Sequence, residues 1–191
     1  MTKKEYQELL ERYKIRTREI NKSTIESIIE ESIDAQQARI KHLLKPENYG
    51  QFFGYYFGKD TPIPMAESDS AWFHIDVYKD LYYKKFITLF NLIFRGGAKS
   101  THANLGYPFA LKECNLAKFF LIIGANESLA KMLLMDLQVQ FEANNRIIKD
   151  FGMQKSYGSW ADGQFETKDR CTFMALGIDQ PFRDFVQTAC G

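Results

Sequence analysis

The 191-residue chain is 45% hydrophobic and 26% charged, and its 16 Phe and 10 Tyr favour a folded domain with a sizeable core. A formal net charge of +1 excludes a uniformly basic, nucleic-acid-coating surface, although it leaves a local basic patch open. The charged N-terminus and the lack of an apolar stretch of about 20 residues exclude a signal peptide and a membrane helix. We therefore expect a cytoplasmic protein, in which Cys114, Cys171 and Cys190 are reduced thiols without metal-type spacing.

Residues 1–45 predict a helical N-terminal arm. Apolar residues recur at helical spacing over 4–20, with charged residues between them that form a solvated face. Ser23 or Thr24 is placed to cap a second helix, which ends before Pro46.

Residues 46–70 are rich in glycine, proline and aromatic residues and predict an irregular connector. Pro62 and Pro64 disfavour regular structure within it. Its aromatic run, 51–58, lacks the interleaved basic residues of a surface that binds single-stranded nucleic acid, so we expect core packing or a subunit contact. Residues 71–191 then form the main domain.

That domain alternates between segments of helical periodicity and continuous apolar runs. Helices are predicted over 72–84, directly after Lys99, and after a cap at Asn126 or Ser128. Strands are predicted at 87–94, 119–124, 163–167 and 171–178. The first of these runs is expected to be buried on both faces. The alternation predicts an α/β fold with a mostly parallel sheet flanked by helices.

The segment FRGGAKST, residues 94–101, carries the chemistry. Gly96 and Gly97 allow a tight turn that exposes backbone N–H groups to an anion. A helix that begins near Lys99 would direct the positive end of its dipole at the same anion. Lys99 can reach terminal phosphates, and the Ser100 hydroxyl can hold a phosphate-bound Mg²⁺ ion. Arg95 supplies a second cation.

The strict phosphate-loop pattern fails at two positions, because Ile93 and Ala98 stand where it requires glycine. The simpler interpretation is a tight turn whose lysine and arginine face solvent. The order of apolar run, loop and helix favours the nucleotide interpretation. The predicted ATP-binding and Mg²⁺-binding set is Arg95, Gly96, Gly97, Ala98, Lys99, Ser100 and Thr101, with Arg95 and Lys99 acting in catalysis and Ser100 on the metal.

This loop resembles the deviant phosphate loop of the large terminase subunit of tailed bacteriophages, in which an arginine stands four residues before the lysine, as Arg95 does here. The resemblance implies a P-loop NTPase fold of the RecA-like (ASCE) type that uses ATP and Mg²⁺. It also implies a role in packaging double-stranded viral DNA into a procapsid in the infected host. The implied partners are that DNA, the portal protein and the small terminase subunit, with a possible homo-oligomer.

Three further segments match the family in order. Residues 119–152 resemble its second strand and helix, and 159–185 resemble a stretch that ends in Gly177, Gln180 and Arg183. In 72–81, His74 falls where the family approaches the adenine, so the resemblance adds His74 to the nucleotide-binding set. Asp184 follows Arg183 where the family has glycine, which weakens any energy-coupling role for Arg183.

In the family, an acidic strand with the catalytic Glu and then a nuclease domain follow this stretch. The sequence ends at Gly191, before either, so we expect an N-terminal ATPase portion that hydrolyses ATP negligibly alone. Two alternatives stay open: a different P-loop NTPase of the helicase or kinase type, and an assembly or binding module with a vestigial nucleotide site.

Overall fold

The computed structural model describes residues 3–179, which form a mixed α/β fold with helices around an open four-stranded sheet. The helices are α1 (Lys3–Ile25), α2 (Ile33–Leu43), α3 (Tyr49–Tyr56), α4 (Trp72–Tyr83), α5 (Lys99–Thr101), α6 (Tyr107–Glu113), α7 (Glu127–Ala143) and α8 (Asn145–Phe151). A 3₁₀ helix spans Pro46–Asn48, and a π-helical turn spans His102–Gly106. The strands are β1 (Phe119–Gly124), β2 (Lys155–Ala161), β3 (Gln164–Thr167) and β4 (Thr172–Gly177).

The strand order in the sheet is β1-β4-β3-β2. Strands β1 and β4 run parallel, with Phe119 opposite Thr172 and Gly124 opposite Gly177. The other two pairs, β4 with β3 and β3 with β2, are antiparallel. The two-residue connection between β2 and β3 turns through Gly163 at φ +80° and permits only antiparallel pairing. The prediction of a mostly parallel sheet is therefore wrong for the described strands, although the positions of β1, β3 and β4 are confirmed.

Helix α7 covers one face of the sheet. Its buried residues Ala130, Leu134, Leu137 and Phe141 recur every three or four positions, as an amphipathic helix requires. The Phe141 ring meets the Phe173 ring of β4 with centroids 5.5 Å apart. The predicted cap is confirmed, because the Asn126 side chain accepts the Leu129 N–H at 2.9 Å.

Helix α3 contradicts the prediction of an irregular connector over its residues. Tyr49, Phe52, Phe53 and Tyr56 recur at helical spacing and are at most 1% exposed. Glycines lower the helix propensity of this segment, but burial of its aromatic side chains outweighs that cost. The expected core packing of the aromatic run is confirmed, and residues 57–71 lack helix and strand as predicted.

Helix α1 continues past the predicted capping site. The Thr24 hydroxyl donates to the Ile20 carbonyl at 2.7 Å within the helix and accepts the Asn145 N–H at 3.0 Å. Threonine can satisfy its hydroxyl in this way without ending a helix, so the prediction of a cap at Ser23 or Thr24 is wrong. Ser32 caps α2 instead, accepting the Ala35 N–H at 3.2 Å.

The apolar run 87–94 is not a strand. It forms no backbone hydrogen bonds with a neighbouring strand among the described residues. The side chains of Phe90 and Leu92 are 90% and 96% exposed. The prediction of a strand buried on both faces is wrong, because a strand depends on a paired neighbour and an apolar pattern does not specify one.

Candidate functional site

The sequence FRGGAKST folds into a tight turn that enters a helix. The Gly97 N–H closes the turn by donating to the Phe94 carbonyl at 3.2 Å. Gly96 has a φ of +89°, a left-handed conformation that glycine adopts without strain. The turn and the start of a helix at Lys99 confirm the local structure predicted from the sequence.

Ala98 joins the turn to the helix. Its backbone is left-handed, with φ 51° and ψ 21°, and Lys99 begins the right-handed helix directly after it. Neighbouring residues of opposite hand can direct successive N–H groups toward one point, an arrangement suited to an anion. A left-handed backbone costs alanine on the order of 1 kcal/mol, so glycine at this position would fit the observed conformation with less strain.

The helical run after Ala98 continues without a break over residues 99–113. Its first bond is donated by the His102 N–H to the Ala98 carbonyl at 3.0 Å, so the N–H groups of Lys99, Ser100 and Thr101 precede that bond. The positive end of the helix dipole lies at these three residues. The loop and the helix start therefore present amide donors on the same side of the chain.

A π-helical turn sits one turn below the loop. Pro108 lacks an N–H to continue a regular helix, and the Tyr107 N–H bonds the His102 carbonyl five residues back. Gly106 lets this widened turn pack on the aromatic helix α3, because a Cβ there would overlap Tyr49 Oη. The helix below the loop is thus anchored in the core.

Arg95 and Lys99 are exposed, and neither forms a salt bridge within the described part of the chain. An open cavity of about 900 Å³ lies between 93–101 and 65–68. Ser100 and Thr101 contribute to its wall, and Glu67 is a carboxylate in its lining. No periodicity in the sequence singles out 65–68, so the sequence analysis missed this opposite wall of the cavity.

A smaller cavity of about 80 Å³ lies behind the loop, where Ser100 and Thr101 face Asp136 of α7. Burial raises the pKa of Asp136, and the charges of Arg16 and Arg12 oppose this shift. Arg16 Nη2 lies 3.9 Å from Asp136 Oδ1, so the N-terminal helix reaches the rear of the loop.

His74 is buried beneath the loop, with 3% of its surface exposed. Its Nε2 lies 2.8 Å from the Gly97 carbonyl oxygen, and its Nδ1 accepts the Ala71 N–H at 3.1 Å. Both ring nitrogens therefore have partners inside the chain. Contact between His74 and an adenine stays a prediction, and the geometry favours a role in holding the loop. His102 stacks directly on the His74 ring.

Other predicted positions are distributed as follows. Gly177 ends β4, whereas Gln180, Arg183 and Cys190 lie outside the described residues. Over residues 3–179, no group of three or more His, Cys, Asp or Glu side chains is arranged to hold a metal ion. In the same part of the chain, no helix has the length and apolar character needed to cross a bilayer.

No family model, curated protein or solved structure matches this chain. The terminase resemblance consequently rests on the sequence segments alone. The nucleotide-binding roles of the loop residues stay predictions, for which the geometry of the turn, helix and cavity provides the physical basis.

Proposed function

We propose that residues 95–101 bind the triphosphate of ATP with its Mg²⁺ ion. One observation supports this most strongly: the left-handed Ala98 immediately precedes a helix start at Lys99, beside an open cavity with two exposed cations. Amide concavities and helix starts of this kind suit phosphate groups.

Each loop residue has a distinct role in this proposal. The backbone N–H groups of Ala98 and Lys99 cradle the phosphates, and the Lys99 ammonium neutralises the β- and γ-phosphates. The exposed Ser100 hydroxyl would hold Mg²⁺, which would neutralise charge on the phosphates. The Arg95 guanidinium stabilises charge that develops during phosphoryl transfer.

We further propose that the chain is the ATP-binding portion of a DNA-packaging motor of the large terminase type, with a P-loop NTPase fold. The loop sequence and the order of the downstream segments support this assignment. The parallel pair β1 and β4, covered by α7, is compatible with it. The unpaired segment 87–94 is a departure, because a phosphate loop ordinarily follows a strand of the sheet. Double-stranded DNA, a portal protein and a small terminase subunit are the proposed partners.

The test is a calorimetric titration of Mg·ATP into the wild-type chain, Lys99→Ala and Lys168→Ala. Lys168 is an exposed lysine that does not line the cavity beside the loop, so it serves as the matched control. We expect Lys99→Ala to weaken binding at least about tenfold, because one charge-assisted contact contributes roughly 1.5–3 kcal/mol. Lys168→Ala should bind as the wild type does. Equal affinities for all three proteins would remove the loop from consideration.

Two further observations separate the alternative functions. A helicase-type or kinase-type P-loop NTPase would also bind ATP, so an acidic strand and a nuclease domain encoded downstream in the gene would favour the packaging motor over it. Binding of a portal protein without any nucleotide affinity would indicate an assembly module with a vestigial site.

A further inference from the structure

His74 connects the loop to two other parts of the fold. Its Nδ1 accepts the N–H of Ala71, the residue that precedes α4, so the ring caps that helix. Its Nε2 contacts the Gly97 carbonyl at 2.8 Å. The Tyr107 hydroxyl donates to the His74 carbonyl at 3.2 Å, which ties the same residue to α6.

These contacts define the protonation of the His74 ring. A neutral imidazole has one N–H and one bare nitrogen, and only the bare nitrogen accepts a hydrogen bond. Because Nδ1 accepts the Ala71 N–H, the ring proton is on Nε2 and is donated to the Gly97 carbonyl. Burial lowers the pKa of His74, the bond to Gly97 opposes this shift, and the net lowering favours the neutral ring.

The bond to Gly97 determines which way the next amide faces. No peptide bond in the described chain is cis, and in a trans peptide the C=O and the N–H point in opposite directions. The His74 ring holds the Gly97 carbonyl toward the core, so the Ala98 N–H of the same peptide faces outward. That N–H belongs to the left-handed residue of the anion-binding concavity.

We propose that His74 is a positioning residue that holds the loop in its anion-binding conformation, through its hydrogen bond to the Gly97 carbonyl. The inference rests on the proposed nucleotide site and adds a residue that acts on the ligand through the backbone. It also replaces the adenine contact as the role of His74, because neither ring nitrogen is free.

The surroundings of the ring hold it in place. His102 stacks on His74 with ring centroids 3.8 Å apart. Phe53 in turn stacks on His102, with ring centroids 4.0 Å apart. The Tyr49 hydroxyl lies 2.7 Å from His102 Nδ1. A ring supported in this way keeps one orientation, so the carbonyl it holds does as well.

Two substitutions separate the two hydrogen bonds of the ring. The side-chain amide of asparagine reaches the position of Nδ1, so His74→Asn keeps the cap on α4 and loses the bond to Gly97. The longer side chain of glutamine reaches the position of Nε2, so His74→Gln keeps the bond to Gly97 and loses the cap. Neither variant titrates, and both remove the same ring.

The readout is amide hydrogen exchange of Gly97 without nucleotide, because its N–H closes the turn on the Phe94 carbonyl, followed by Mg·ATP affinity. In His74→Asn we expect exchange at this amide to accelerate about fivefold and the affinity to fall by a similar factor, as loss of one hydrogen bond implies. In His74→Gln both should stay within about twofold of the wild type. Equal effects of the two variants on loop exchange would overturn the proposal.

A measurement on the wild-type chain covers the case in which a variant fails to fold. The ¹⁵N chemical shifts of His74 should show a protonated Nε2 and a bare Nδ1, and the opposite tautomer would overturn the proposal. If wild-type protein does not bind Mg·ATP, the proposed function fails, and the exchange of the Gly97 amide alone then decides whether His74 holds the loop.

Discussion

Asp150 of α8 and Arg39 of α2 form a bidentate ion pair that connects the two helices. Arg39 Nη1 lies 2.8 Å from Asp150 Oδ2 and Nη2 lies 2.7 Å from Oδ1, and the Asp150 side chain is fully buried. Burial opposes the charge of Asp150, but hydrogen bonds from Arg39, Tyr56 and Gln36 outweigh it and lower the pKa of this carboxyl. The pair therefore holds part of the N-terminal segment on the core.

We predict that Asp150→Ala lowers the free energy of unfolding by about 1–3 kcal/mol at pH 7. Arg39 keeps its ion pair with Glu31, but the buried Tyr56 hydroxyl loses its acceptor. The exposed Asp76→Ala should cost less than about 1 kcal/mol. A depressed native pKa adds stability above the unfolded value and loses it as the pH falls through the native value. The wild-type advantage should accordingly shrink below about pH 4. Urea denaturation across pH measures both effects, and a cost equal to that of Asp76→Ala would contradict the burial of this pair.

The buried His102 should make the fold sensitive to acid. Burial, and then the neighbouring His74, lower the pKa of His102 to about 3. Between that value and an unfolded pKa of about 6.5, the unfolded chain binds a proton that the native chain does not. Stability should therefore fall by up to about 1.4 kcal/mol per pH unit as the pH drops through this window.

The test compares the slope of unfolding free energy between pH 6.5 and 5, a range above the titration of most carboxyl groups. His102→Asn, which keeps a polar atom near Tyr49 Oη, should flatten the slope. An unaltered slope in His102→Asn would show that another group causes the acid sensitivity.

Ala98→Gly should relieve backbone strain in the loop. Glycine adopts the left-handed conformation of residue 98 freely, so we expect a gain of up to about 1 kcal/mol in the free energy of unfolding, with Mg·ATP affinity kept. The matched control is Ala103→Gly in the helical run that follows, which should lose about 1 kcal/mol. Thermal denaturation of both variants decides the matter, and a loss in both would be inconsistent with a left-handed Ala98.

The exposed segment 87–94 should tolerate polar substitution. Phe90 is 90% exposed, so Phe90→Ser should change the free energy of unfolding by no more than about 0.5 kcal/mol. Phe173→Ser in the buried strand β4 should cost at least about 3 kcal/mol. A comparable loss of unfolding free energy in the two variants would show that Phe90 is buried and would contradict the prediction.

The sequence predicted elements whose signals are local. The strand 119–124 and the cap at Asn126 were predicted correctly, because an apolar run and a capping side chain act within a few residues. Two failures depend on distant partners. Whether 87–94 forms a strand depends on a neighbour that the pattern does not name, and α3 forms because its aromatic face meets residues far along the chain, such as Phe109.

In the candidate site, too, the local features were predicted and those that depend on distant residues were not. Its glycine turn and the helix start at Lys99 follow from residues that are adjacent in sequence, and both were predicted. The hydrogen bond from His74 to Gly97 spans 23 positions, and it links two segments with no sequence signal in common. The wall at 65–68 is equally remote from the loop.

The most direct test of a phosphate-binding loop is amide hydrogen exchange at Ala98, Lys99 and Ser100 with saturating Mg·ATP, with AMP as the control. We predict at least about tenfold slower exchange at these three amides with Mg·ATP and no change with AMP, because the amides donate to the β- and γ-phosphates. At the same nucleotide concentration, Lys99→Ala should show less protection. Unchanged exchange at these amides in the presence of bound Mg·ATP would contradict the account.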